Sequence, residues 1–86
     1  MRAAQIVEFK KPLRVGQVPD PTPGPKDAII RVEASGICRS DWHAWMGDWS
    51  WIRLTPTLPI IPGHEFGGVV ETVGSDVHNF KPGDRV

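Results

Sequence analysis

The chain has 86 residues, and its ten basic and ten acidic side chains cancel to a formal net charge of zero. That length allows one domain, which at this size buries only about 60 to 65% of its unfolded surface. With no basic run, no stretch near the roughly 20 apolar residues of a membrane span and too short an apolar segment in MRAAQIVEFKKPL for a signal peptide, the composition argues against nucleic-acid and membrane partners and points to the cytoplasm, with small molecules or proteins as partners.

Nine prolines and nine glycines predict turns and short strands rather than long helices. Residues 1–9 alternate weakly around Ala4 and Ile6, and Leu13, Val15 and Val18 form a second short run, so the pair reads as a hairpin. PDPTPGPKD then interrupts the pattern, with Pro23-Gly24 placed at the centre of a type II turn. AIIRVEA, residues 28–34, alternates cleanly and sets Ile30, Val32 and Ala34 on one face of a strand. Gly36 breaks that strand. Ser40 is a candidate N-cap for a short helix over residues 40–46, whose apolar stripe is Trp42, Trp45 and Met46 and which ends at Gly47.

Residues 48–62 carry Pro56, Pro59 and Pro62 and read as loop. FGGVVETVG, residues 66–74, is the next strand, where Gly67-Gly68 marks a bulge or another backbone pressed close. KPGD at 81–84 repeats the Pro-Gly turn chemistry, and Val86 reads as the start of a further strand with an open edge. Several short strands with one short helix predict a mainly β, mostly antiparallel barrel or sandwich.

The only cysteine cannot close an intrachain disulfide, so Cys38 is a buried apolar residue, a metal ligand or a reactive thiol. His64, in PGHEFGG, either hydrogen-bonds a loop carbonyl or ligates a metal, and Glu65 is either a solvated carboxylate or a further oxygen donor. The 26-residue gap between Cys38 and His64 is not the local pair of a structural zinc site. Yet each stands at a turn beside a strand, where loops on a rigid scaffold can hold a metal between them. Catalytic zinc takes three protein ligands, so the third is Glu65 or a residue outside these 86.

Asp41 is either an ordinary acid of a helix first turn or the carboxylate that accepts the other N–H of His64. Ser40 and His43 are either cap and solvent-facing helix residue or a pair that carries a proton from the site to water. Trp42 and Trp45 have helical spacing and read as core or interface, whereas Trp49 and Trp51 either line an apolar pocket or lie exposed.

In order, GICRSDWH, then GHEFGGVV with its histidine 26 residues after the cysteine, then VGSDV and KPGDRV resemble the start of a zinc-dependent medium-chain alcohol dehydrogenase. MRAAQIVEF and PDPTPGPKDAIIRV fit as well, so the resemblance runs through all 86 residues. It implies that residues 1–86 are the N-terminal part of a GroES-like catalytic domain, a partial twisted barrel, whose Rossmann partner domain is absent from this chain. It further implies Cys38 and His64 as zinc ligands, Glu65 as the carboxylate that approaches the metal when substrate is absent, and Asp41 as the partner of the zinc histidine. Ser40 and His43 then form the proton relay, and Arg39 is the residue that touches the cofactor pyrophosphate.

The implied cofactors are Zn2+ and, in the full-length enzyme, NAD or NADP; the implied substrate is an alcohol or aldehyde. Zinc would make an alkoxide accessible near neutral pH, and hydride would pass to the nicotinamide. None of the nine glycines forms G-x-G-x-x-G, so the segment is expected to be incomplete and inactive alone. The rival expectations are a non-catalytic β-barrel scaffold that self-associates through open sheet edges or binds a protein partner, and a simple metal-binding protein.

Overall fold

The computed structural model describes residues 1–86, which fall into two compact units: Met1–Pro19 with Ile37–His64, and Asp20–Gly36 with Glu65–Val86.

In the first unit, β1 (Arg2–Gln5) pairs antiparallel with β2 (Arg14–Gln17), and Ala4 stands opposite Val15. The hairpin is shorter than its alternation suggested. Ile6 leaves β1 to bridge Ile60, its N–H donating to the Ile60 carbonyl at 2.8 Å and receiving the reciprocal bond at 3.0 Å. Both backbone groups of Ile6 are thereby satisfied, and its side chain is fully buried.

Helix α1 spans Arg39–Met46 and is capped by Cys38, with Ser40 at its second position. The cap thus lies two residues before the expected hydroxyl, and an acid in the first turn reaches back to it. Asp41 reaches back so that its Oδ2 accepts the Cys38 N–H at 3.1 Å, the backward bond of a capping box. At the other end Gly47 adopts φ 73°, a left-handed conformation that a β-carbon makes costly. The Gly47 N–H donates to Ala44 O at 3.2 Å and the Asp48 N–H to His43 O at 3.0 Å, the two bonds of a Schellman turn.

Trp45 ties the helix to the loop between β1 and β2. Its indole N–H donates to Lys11 O at 2.7 Å, and its own carbonyl accepts the Lys10 N–H at 3.0 Å. Trp42, on the same predicted stripe, is exposed, and no residue of α1 is fully buried. The predicted loop of residues 48–62 contains one 3₁₀ turn, Ser50–Ile52. No helix of the chain is long and apolar enough to cross a membrane.

In the second unit, β3 (Ala28–Ser35) pairs antiparallel with β4 (Phe66–Val73). Two register shifts interrupt the ladder, one leaving Glu71 without a partner across the strand and the other Glu33. The second lies opposite Gly67-Gly68. A β-carbon on Gly68 would run into the Arg31 carbonyl, so glycine is required there by the close approach of β3. Residues 84–86 run along the other side of β4, with Val70 N–H to Asp84 O at 2.8 Å and Val86 N–H to Gly68 O at 3.0 Å. Val70, flanked on both sides, is 2% exposed.

The turn before β3 differs from expectation. Gly24 is not in the left-handed region, and the turn runs from Gly24 to Asp27 with Pro25 at its first central position. The Asp27 side chain explains the shift: its Oδ2 accepts the Gly24 N–H at 3.0 Å while its N–H donates to Gly24 O at 3.2 Å.

The expected mainly β, partial GroES-like twisted barrel is not formed. The strands make two open two-stranded antiparallel sheets, one in each unit, and the chain has one α-helix: a mixed sheet-and-helix fold without closure. A barrel needs every strand paired on both edges with a consistent stagger, whereas β1, β2 and β3 each pair with a single strand. Burial is correspondingly thin. Ile6 in the first unit and Val70 in the second are the only buried apolar side chains, while Ile37 is 94% exposed and Trp51 80%.

Ile6→Ala is therefore expected to cost about 2 to 4 kcal/mol in urea unfolding, and Ile37→Ala less than about 0.5 kcal/mol. Equal effects would show that Ile6 is not a core residue. A second expectation concerns Asp84, whose carboxyl is held below the usual carboxylate range by the Lys81 ammonium at 2.9 Å and, next, by the Lys81 backbone N–H at 3.0 Å. With the folded value depressed, this contribution to stability is present above the unfolded carboxyl pKa of about 3.9 and is lost as pH falls through the folded value. A carbon-13 titration should place the Asp84 midpoint below that of the unfolded chain, and Lys81→Met should raise it.

Candidate metal centre

Three ligand-bearing side chains reach one place. Cys38 stands at the N-cap of α1, where the chain turns from extended backbone (φ −98°, ψ 150°) into the helix. His64 follows Pro62 and Gly63, the latter at φ 112°, a left-handed bend that admits glycine most readily. Glu65 comes next in the chain. One ligand atom from each of Cys38, His64 and Glu65 lies within 4.8 Å of the other two. Cys38 is half-buried, and His64 and Glu65 are exposed.

Glu65 is held on its main chain by the Gly36 N–H, which donates to its carbonyl at 2.6 Å. Its Oε2 lies 2.7 Å from where a β-carbon on Gly36 would stand, so the missing side chain at 36 makes room for the carboxylate.

Asp41 joins the two ends of the site. Its Oδ2 takes the backbone N–H of Cys38, and its Oδ1 lies 3.3 Å from His64 Nδ1. A carboxylate oxygen accepts, so this contact suits an N–H on Nδ1, the tautomer that would leave the lone pair of Nε2 for another partner. Ser40 Oγ lies 3.5 Å from that Nε2, a long contact. The first-turn acid and the histidine partner, read as alternatives in the sequence, are thus one geometry.

Zinc fits this donor set. Tetrahedral bonds of about 2.3 Å to sulfur and 2.0 to 2.1 Å to nitrogen or oxygen put neighbouring ligand atoms roughly 3.3 to 3.6 Å apart. Closing from a separation of at most 4.8 Å requires a contraction of no more than about 1.2 to 1.5 Å, within reach of side-chain rotations when two of the three groups are exposed.

Two of the expected site residues are engaged elsewhere. The His43 ring pairs through Nδ1 with Asp48 Oδ2 at 2.9 Å and meets the Trp42 ring edge-on, with centroids 5.0 Å apart. The Arg39 guanidinium lies 4.7 Å from the centre of the Trp42 ring, at cation–π distance. Asp48 was not singled out in the sequence. Its signal was Gly47: a left-handed glycine at a helix end brings the following residue back against the last turn.

The family description "Alcohol dehydrogenase GroES-like domain" matches residues 24–86, about three-quarters of the chain. The chain belongs to the alcohol dehydrogenase GroES-like domain family. An alcohol dehydrogenase of Rhizobium meliloti is 48% identical over 86 residues, covering 100% of this chain and 24% of the relative. Among solved structures, an alcohol dehydrogenase from Aeropyrum pernix superposes with a TM-score of 0.87 at 37% identity, covering 99% of this chain and 25% of that one. A quinone oxidoreductase from Coxiella burnetii gives the same TM-score, 0.87, at 31% identity, covering 99% of this chain and 28% of that one. The chain thus spans about a quarter of the length of these relatives. Because relatives described as alcohol dehydrogenase and as quinone oxidoreductase share the backbone equally well, the GroES-like fold does not choose between chemistries. The side chains at the site must do so.

For this GroES-like chain, Asp41→Ala is expected to lower stability by about 1 kcal/mol through the lost bond to the Cys38 N–H. It should also free the His64 ring, read as a loss of its Nδ1–H signal by nitrogen-15 NMR. A variant with parental stability and an unchanged His64 ring would show that Asp41 links nothing.

Proposed function

We propose that residues 1–86 form the zinc-holding N-terminal part of the GroES-like catalytic domain of a zinc-dependent medium-chain alcohol dehydrogenase. The full-length enzyme oxidises an alcohol to an aldehyde or ketone with NAD or NADP. The observation that carries this reading is the convergence of Cys38, His64 and Glu65 within 4.8 Å, with Asp41 at the far nitrogen of His64. A structural role for these residues would not call for a thiol, an imidazole and a carboxylate around one point.

Zinc bound there supplies Lewis acidity, which brings the pKa of an alcohol toward neutral. Cys38 and His64 hold it, with a further ligand from Glu65 or from the longer protein. Asp41 orients the imidazole and raises its basicity, as partners of metal-bound histidines do. Ser40, whose Oγ lies 3.5 Å from His64 Nε2, would accept the alcohol proton, and His43, on the same helix, would pass it to water; the shared helix supports that reading. Arg39, when it leaves the Trp42 ring, is the cation available to a cofactor pyrophosphate. NAD(P) binding belongs to the longer protein, and the cytoplasm remains the expected compartment.

Chelator competition on the metal-loaded chain tests the ligand set. Cys38→Ser and His64→Ala should each weaken zinc binding by more than roughly tenfold, beyond the effect of losing a partner of a ligand, while Trp51→Ala leaves it unchanged. The full-length protein should reduce NAD(P)+ in an alcohol-dependent way that Cys38→Ser abolishes. Equal zinc affinity in Cys38→Ser and the parent would overturn the reading.

A further inference from the structure

The turn that ends α1 puts two ionisable side chains face to face. In a Schellman turn the residue after the left-handed glycine donates its N–H to a carbonyl of the last helical turn, and the two side chains concerned usually meet as an apolar pair. Here those residues are Asp48 and His43, with Asp48 N–H to His43 O at 3.0 Å. In place of an apolar contact, Asp48 Oδ2 lies 2.9 Å from His43 Nδ1, the length of a charge-assisted hydrogen bond. The Trp42 ring meets the imidazole edge-on, with centroids 5.0 Å apart. Backbone and side chain thus fix the same pair independently.

We infer that Asp48 is a positioning residue: held by the Schellman turn, its carboxylate takes the Nδ1–H of His43 and leaves Nε2 as the one proton-accepting nitrogen of that ring. This rests on the proposed reading in which His43 passes protons from the site to water. An imidazole in that role forms an N–H bond at Nε2 as the donor O–H breaks, then releases the same proton to solvent, while the Nδ1–H stays in place. A histidine side chain in water prefers the opposite tautomer, with the proton on Nε2. That form would turn the Nδ1 lone pair toward the Asp48 carboxylate, so the acid reverses the intrinsic preference.

Long-range proton–nitrogen NMR of the chain carrying nitrogen-15 histidine separates protonated from bare ring nitrogens. At alkaline pH, where imidazoles are neutral, it can be read for His43, His64 and His78, with His43→Gln supplying the assignment. The expected spectrum shows His43 protonated on Nδ1 and bare on Nε2. Asp48→Ala should switch it to the Nε2–H form, whereas Asp48→Asn, whose amide oxygen still accepts, should keep Nδ1–H dominant. Parental His43 in the Nε2–H form, or an unchanged tautomer in folded Asp48→Ala, would overturn the inference. If Asp48→Ala does not fold, the parent and Asp48→Asn spectra decide by the same criterion. The spectra are recorded without metal, so the outcome is independent of zinc binding by Cys38 and His64.

Discussion

The two oxygens of the Asp41 carboxylate face different parts of the chain. Oδ2 accepts the N–H of Cys38 and thereby starts α1, while Oδ1 lies against the His64 ring, which comes from a loop 23 residues further on (64 − 41). A single acid therefore contacts both the start of the helix and the Nδ1 face of the histidine. Remove it and the thiol loses the helix start that aims it, while the imidazole loses the contact that orients it. The candidate metal site is in this sense an extension of a helix cap.

The same helix organises its other end by backbone geometry. Gly47 in the left-handed region allows the Schellman turn, and that turn delivers Asp48 to His43. An eight-residue helix with no buried residue contributes little to a hydrophobic core. It works instead as a rigid spacer, carrying Cys38 and Asp41 at one end and His43 with Asp48 at the other. Its hold on the first unit comes through Trp45, whose indole and carbonyl both bond the Lys10–Lys11 backbone.

What the sequence revealed was local, and what it concealed depended on distant partners. The 28–34 alternation marked β3, and Gly47 marked the helix end, because period and left-handed glycine act within a few residues. Gly67-Gly68 correctly signalled a close backbone, since only a missing side chain lets the Arg31 carbonyl approach. The start of α1 was misplaced at Ser40 because a hydroxyl is the usual cap, whereas here Cys38 stands at the cap and Asp41, three residues later, accepts its N–H. The Pro23-Gly24 turn was misread because the Asp27 carboxylate closes the competing Gly24–Asp27 turn. Barrel closure was expected from strand number and spacing, but closure is decided by which edges pair, and no short-range pattern encodes that. Val32 shows the same limit: its alternation predicted a core face, and it is 55% exposed. At the site, the spacing of Cys38 and His64 carried little information. Their meeting, with Asp41 in contact with both, is a feature of the fold that a motif can suggest but spacing does not encode.

The most direct measurement is X-ray absorption at the zinc edge on the chain loaded with one equivalent of the metal. Convergence of Cys38 with His64 requires one sulfur in the coordination shell at about 2.3 Å, beside nitrogen and oxygen neighbours at about 2.0 to 2.1 Å. A shell of nitrogen and oxygen alone would mean that the thiol capping α1 and the imidazole beside Asp41 do not share a metal, and would contradict the site at its centre.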